Sequence, residues 1–199
     1  RDLDDAVYGE ESARGFTLWV GIADVSHYVR PGTPLDREAL SRGNSYYFPQ
    51  SVVPMLPEAL SNDLCSLKPG VPRLAVAAKM HFDREGRPAA APEFFVGVIQ
   101  SRARLTYTQV FTDVIEDRGG GTSRGLAPCG PLSPDIHAML KSAEKLARLM
   151  HGVRHEAGGL DFELPEPEVR VSEADGELSI VAEERNFAHQ LIEMFMVAA

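Results

Sequence analysis

Two cysteines in 199 residues, Cys65 and Cys129, are too few for a disulfide framework. Neither belongs to a Cys-x-x-Cys pair, so the spacing of a structural zinc site is absent as well. Such sparse cysteine usage fits a reducing compartment, and a cytoplasmic setting is expected. No apolar run approaches the roughly 20 residues of a transmembrane helix, so no membrane association is expected. The charge balance lacks a basic excess: 29 acidic residues against 20 basic ones leave a net charge of −9. That argues against nucleic-acid binding through a broad basic face, though not against a narrow channel or a metal-bridged phosphate. There is no internal repeat and no glycine-rich phosphate loop of the Walker or dinucleotide type.

What is there reads as a globular α+β chain. Hydrophobic residues make up 44% and charged residues 25%, enough to build a core without staples. Phe16, Leu18, Val20 and Ile22 alternate, which predicts a strand over 16–25. Thr33 as N-cap, Pro34 at the first helical position and Gly43 beyond the end bracket a short helix. The stretch 45–72 is irregular. Leu74, Val76, Ala78, Met80 and Phe82 alternate again, giving a strand over 73–82, a turn over 83–86 and a hairpin partner over 93–104. Thr106 caps a helix carrying Val110, Phe111, Val114 and Ile115. Residues 117–132 read as a flexible loop. Ser133-Pro134-Asp135 opens a long amphipathic helix to Glu156, closed by Gly158-Gly159. Two short strands follow near 160–171 and 177–182, and a last helix begins at Asn186. The chain opens on charged residues without Met or a signal peptide, and its last helix is still apolar at Ala199. It is therefore expected to be a piece of a longer domain, truncated at both ends.

Four groups of residues could carry chemistry. Asp2, Asp4 and Asp5 crowd three carboxylates into four positions, which is stable in open solvent or around a cation. Hard oxygen donors of this kind suit Mg2+. The Asp24-Val25-Ser26-His27 run contains the residue types of a hydrolytic triad. However, triads are assembled from distant positions, so Asp24 and Ser26 are expected to hold a turn by local hydrogen bonds. Tyr46 and Tyr47, with Tyr107 and Phe162 elsewhere, could stack on bases or fill the core, and Phe48 is assigned to the core. His189 and Glu193 lie one helical turn apart, as a metal pair or an ordinary helix pair.

Seven stretches carry a resemblance in the right order. They are DLDDAV (2–7), IADVSHYV (22–29), YFP (47–49), PMLPEALSNDLCSL (54–67), SRARLTY (101–107), GGLDFELPE (158–166) and RNFAHQLIE (185–193). Together they resemble the catalytic RNB domain of the ribonuclease II/ribonuclease R family. The His-Tyr form of the 22–29 block is nearer the ribonuclease R branch. The resemblance implies an α+β exoribonuclease domain that hydrolyses single-stranded RNA processively from the 3′ end to nucleoside 5′-monophosphates, with Mg2+. It implies Asp5 as a direct metal ligand, Asp4 as the carboxylate most needed for cleavage, and Asp2 as support for the same metal site. Tyr47 matches the tyrosine at the 3′-terminal nucleotide, and Phe162 the aromatic at the far end of the base row. Tyr107 and Glu193 match positions that seat the terminal nucleotides and favour RNA over DNA.

The departures are a first acidic residue six positions before Asp2, a downstream arginine segment, and Met194 where many members carry glutamate. The expectation is therefore an active parent protein, monomeric and carrying cold-shock and S1-type RNA-binding domains, with the 199-residue piece inactive alone. The competing expectation is a non-catalytic RNA-binding or scaffolding relative of the same fold.

Overall fold

Alternation along 16–22 places every second side chain on one side of a strand, and the fold follows from covering that side. The computed structural model describes residues 3–48, 51–116, 132–160, 167–171, 178–182 and 185–199. Strands β1 (Asp5–Ser12), β2 (Gly15–Ala23), β5 (Pro72–Phe82) and β6 (Glu93–Gln100) form an antiparallel sheet in the order β1-β2-β5-β6. Two smaller hairpins, β3 (Tyr46–Phe48) with β4 (Ser51–Val53) and β7 (Pro167–Val171) with β8 (Leu178–Ala182), stand apart from it. The α+β class and the antiparallel pairing match the sequence reading.

The central sheet is covered on both faces, at opposite ends. On one face Phe16, Leu18 and Val20 of β2 join Ala78, Met80 and Phe82 of β5. Two helices seal them: α4 (Pro134–Glu156) through Ala143, Leu146 and Ala147, and α5 (Phe187–Ala198) through Leu191, Met194 and Phe195. Gly9 of β1 faces Ala143 of α4, where a Cβ would make ordinary contact at 3.6 Å. On the opposite face Ala23, with Ala6 and Ile99 beside it, packs under Ala39, Leu56, Leu60, Cys65 and Leu67. This second core is supplied by the long excursion between β2 and β5. That excursion holds α1 (Val25–Tyr28), α2 (Pro34–Arg42) and a π-helical turn at Leu60–Leu64.

The helix boundaries follow the capping chemistry. Thr33 Oγ1 accepts from the Asp36 N–H at 3.2 Å, and Thr106 Oγ1 accepts from the Gln109 N–H at 3.1 Å. The second of these opens α3 (Tyr107–Val110), which runs into a π-helical turn at Phe111–Ile115. Gly43 and Gly158 sit at φ 79° and 87°, the left-handed conformation in which helices end without a Cβ clash.

Three readings need correction. β1 was not expected, because the acidic opening read as a terminal stretch. The region 45–72 is a hairpin and a π-turn rather than irregular throughout. Phe48 is 56% exposed and belongs to no core. The expected loop at 117–132 and the turn at Asp175-Gly176 fall outside the described residues, except for Leu132.

Candidate functional site

The acidic opening is pinned by backbone. The Ala23 N–H donates to the Asp4 carbonyl at 2.9 Å, extending the β1–β2 ladder by one residue. The Leu67 N–H donates to the Leu3 carbonyl at 2.8 Å from the other side. Asp5 then opens β1 opposite Ile22. Successive residues of an extended chain point to opposite faces. Asp4 therefore shares the face of Ala6 and the second core, while Asp5 shares the face of Val7. The Cys65 thiol reports the same placement, since the charges of Asp4 and Asp24 both act on it. Asp4 and Asp5 are both exposed. Asp2 lies outside the described residues.

Behind Asp4 sits a polar layer that runs from buried Cys65 and Ser66 out to exposed Asp63 and partly exposed Lys68. Cys65 is 3% exposed and Ser66 fully buried. Burial pushes the Cys65 thiol up first, the negative charges of Asp4 and Asp24 push it further, and Arg73 opposes them weakly. Arg73 Nε donates to the Ser66 carbonyl at 3.0 Å, and its terminal nitrogen to Asp63 Oδ1 at 2.8 Å. Lys68 Nζ also donates to Asp63 Oδ1, at 2.9 Å. The Lys68 bond and charge, with help from Arg73, hold the Asp63 carboxyl below its ordinary range. This layer fixes the turn that delivers Leu67 to Leu3. Its role was not expected from the sequence: the 54–67 block served there only as a signature, and only its unusual density of small and polar residues pointed to structure.

Asp24 does what local chemistry predicted. Ser26 Oγ donates to Asp24 Oδ1 at 2.6 Å and the His27 N–H donates to the same oxygen at 3.1 Å. The Ser26 bond is the largest cause holding this carboxyl low; burial opposes it, and the His27 N–H and the His27 and Arg30 charges add to it. The residues of the triad-like run are thus consumed in capping α1.

Tyr47 stands on the β3–β4 hairpin, paired with Val52 and 70% exposed. Tyr46 is 52% exposed. The core alternative for both is therefore excluded, and the hairpin presents aromatic surface to solvent. Its base is tied down where the Met55 N–H donates to Ser45 Oγ at 2.9 Å and Arg42 donates to the Pro54 carbonyl at 3.0 Å. Phe162 lies outside the described residues.

Tyr107 and Glu193 are both tied to α5, Tyr107 by a contact to it and Glu193 as one of its residues. The Tyr107 ring stacks on His189 with centroids 3.9 Å apart and planes 27° from parallel. His189 occupies the third position of α5, and Glu193 follows one turn later on the same side. Arg185 donates to Glu193 Oε2 at 2.9 Å, and Arg154 lies 4.0 Å from Oε1. Glu193 faces two guanidinium groups, so the pair with His189 is not a metal pair.

Among the described residues no three His, Cys, Asp or Glu side chains converge to hold a metal ion. The donors present still fit Mg2+, which takes one or two carboxylates and completes its shell with water and substrate phosphate. Asp4 and Asp5 supply hard, exposed oxygens, and no ion pair engages Asp5 among the described residues. No helix among those residues is long and apolar enough to cross a membrane.

Comparison with known proteins is consistent along the whole chain. Ribonuclease R of Escherichia coli is 43% identical over 201 residues, which is all of this chain and 23% of that protein. The RNase R of Mycoplasma genitalium, solved in complex with ribose-methylated single-stranded RNA, superposes with a TM-score of 0.86 at 34% identity. That match covers 99% of this chain and 29% of the other. The same enzyme solved in complex with double-stranded RNA gives the same TM-score, covering 99% of this chain and 33% of that one. The chain thus spans about a quarter of the length of the curated relatives it matches. The RNB domain family matches residues 1–199, and with relatives about 40% identical over the full chain, the chain belongs to the RNB domain family, among relatives of ribonuclease R.

Proposed function

We propose that this chain is part of a Mg2+-dependent exoribonuclease that shortens single-stranded RNA from the 3′ end and releases nucleoside 5′-monophosphates. The observation that carries the reading is the pinned acidic strand start at Leu3–Asp5, within a chain that the RNB family matches over residues 1–199. Asp5 would hold the ion directly, and Asp4, set on the other face at the strand start, and Asp2 are assigned to the same acidic site from the resemblance. Bound there, Mg2+ would offset charge on the scissile phosphate and acidify a water. The chain's own part is to keep these carboxylates at fixed positions. The backbone bonds from Ala23 and Leu67 do this without relying on flexible side chains.

The aromatic positions suit an enzyme that must accept every base, because stacking on a ring is sequence-tolerant, at roughly 1–3 kcal/mol per base. Tyr47 is assigned to the 3′-terminal nucleotide and Phe162 to the far end of the base row. Tyr107 and Glu193 are assigned to the ribose side, where a 2′-hydroxyl separates RNA from DNA. A net charge of −9 is compatible with this, since contacts of this kind are local.

The test uses the full-length parent protein, wild type and Asp4→Asn, on 5′-labelled single-stranded RNA with Mg2+. Wild type is expected to give a ladder receding from the 3′ end to a short remnant. The variant is expected to lose on the order of 100-fold or more in rate while still binding RNA. Tight binding with no shortening by the wild type would instead identify a non-catalytic RNA-holding relative.

A further inference from the structure

The imidazole of His189 is engaged on two sides. At its edge, Nδ1 accepts from the Asn186 N–H at 3.3 Å, closing a capping box at the start of α5. At its face, it stacks on Tyr107. The cap fixes the imidazole plane, and the plane in turn backs the tyrosine. Tyr107 is 45% exposed and begins α3, a helix of only four residues. Glu193, one turn further along α5, is held by Arg185 and Arg154. The Tyr107 ring thus meets α5 at His189, and Glu193 follows one turn later on the same face of that helix.

We propose that His189 is a positioning residue for ribose recognition: by stacking on Tyr107 from a ring locked by the Asn186 cap, it holds Tyr107 beside Glu193 to distinguish a 2′-hydroxyl. The proposal rests on the reading of Tyr107 and Glu193 as ribose contacts. Histidine suits the position because it combines a flat face with an acceptor at its edge. Glutamine, the usual capping-box residue here, supplies only the acceptor, and phenylalanine supplies only the face. The two substitutions therefore separate the roles.

The experiment uses the full-length parent protein in EDTA, where binding can be read without turnover. Affinities are measured for a 5′-labelled RNA and for the same oligomer with 2′-deoxy sugars at its last nucleotides. Their ratio is the readout, and thermal melts check folding. His189→Gln is expected to lower the ratio about two- to tenfold, the scale of one aromatic stack, while keeping the melting temperature. His189→Phe is expected to keep the ratio within about twofold of wild type and to melt lower. The double variant with Tyr107→Leu should be no worse than Tyr107→Leu alone, because both remove one contact.

A ratio unchanged in His189→Gln, lost in His189→Phe, or indifferent to Tyr107→Leu overturns the proposal and leaves His189 a helix cap. If His189→Gln does not fold, Tyr107→Leu removes the same stack from the other side; an unchanged ratio there, or a lost one in His189→Phe, still overturns it. Turnover with Mg2+ is measured separately on the wild type. Its absence removes the exoribonuclease reading while the binding ratio still decides the role of His189.

Discussion

Asp24 is a carboxylate kept charged while 7% exposed, by one hydroxyl and one backbone N–H on the same oxygen. Its carboxyl is held below the ordinary value of 3.8. The folded state therefore binds the proton less readily than the unfolded chain does. The stabilisation is complete above the unfolded value and is lost as pH falls through the lower folded one. Melting temperature is expected to be flat from about pH 7 to 5 and to fall below about pH 4, with Ser26→Ala weakening that dependence; melts across this range check it. Cys65 shifts the other way, so its thiol stays protonated through neutral pH. Iodoacetamide at pH 7.5 is expected to leave Cys65 unmodified in the folded protein and to alkylate it in guanidinium, as peptide mass mapping would show.

Among the elements, the tight β1–β2 hairpin is the most constrained. Gly15 sits at φ 133°, and a Cβ there would lie 2.1 Å from the Phe82 carbonyl oxygen. Gly15→Ala is expected to cost about 3 kcal/mol or more, from an unfavourable backbone and a backbone clash together, measurable by urea unfolding. Leu146 of α4, 1% exposed between the sheet and α5, should cost a similar amount as Leu146→Ala, roughly 2–5 kcal/mol with a lowered denaturant midpoint. These two sites differ in legibility. The apolar stripe of α4 was plain in the sequence, because seven residues repeat at helical spacing between a Ser-Pro start and a Gly-Gly stop. β1 was not, because its opening is acidic and its inward positions Asp5, Val7, Gly9 and Glu11 do not make an apolar alternation. The π-turns at 60–64 and 111–115 were equally hidden, since a shift from four- to five-residue hydrogen bonding changes no residue type.

At the scale of the whole molecule, the two cores on opposite faces leave β6 covered least. Phe94, Val96 and Val98 are 63%, 76% and 64% exposed along an edge strand. Edges of this kind invite pairing. Val96→Lys in the 199-residue chain is expected to reduce light scattering at high concentration, with little change in melting temperature. The candidate site was legible as a set of residues but not as an arrangement. The carboxylates and tyrosines could be named from motif and resemblance. The stacking of Tyr107 on His189 and the polar layer behind Asp4 join positions 82 and roughly 60 residues apart, and no local pattern encodes such pairings.

The ladder that seats Asp5 opposite Ile22 and Ser12 opposite Gly15 also limits how descendants of this chain can vary in length. Inserting or deleting one residue between Asp5 and Ser12 would shift parity and exchange the faces to which Asp4 and Asp5 are delivered. A change at Ala13-Arg14, in the tip, lies outside the ladder and leaves parity intact. Lineages that keep the chemistry should therefore tolerate substitution along the outward positions of β1 while confining gaps to its tip.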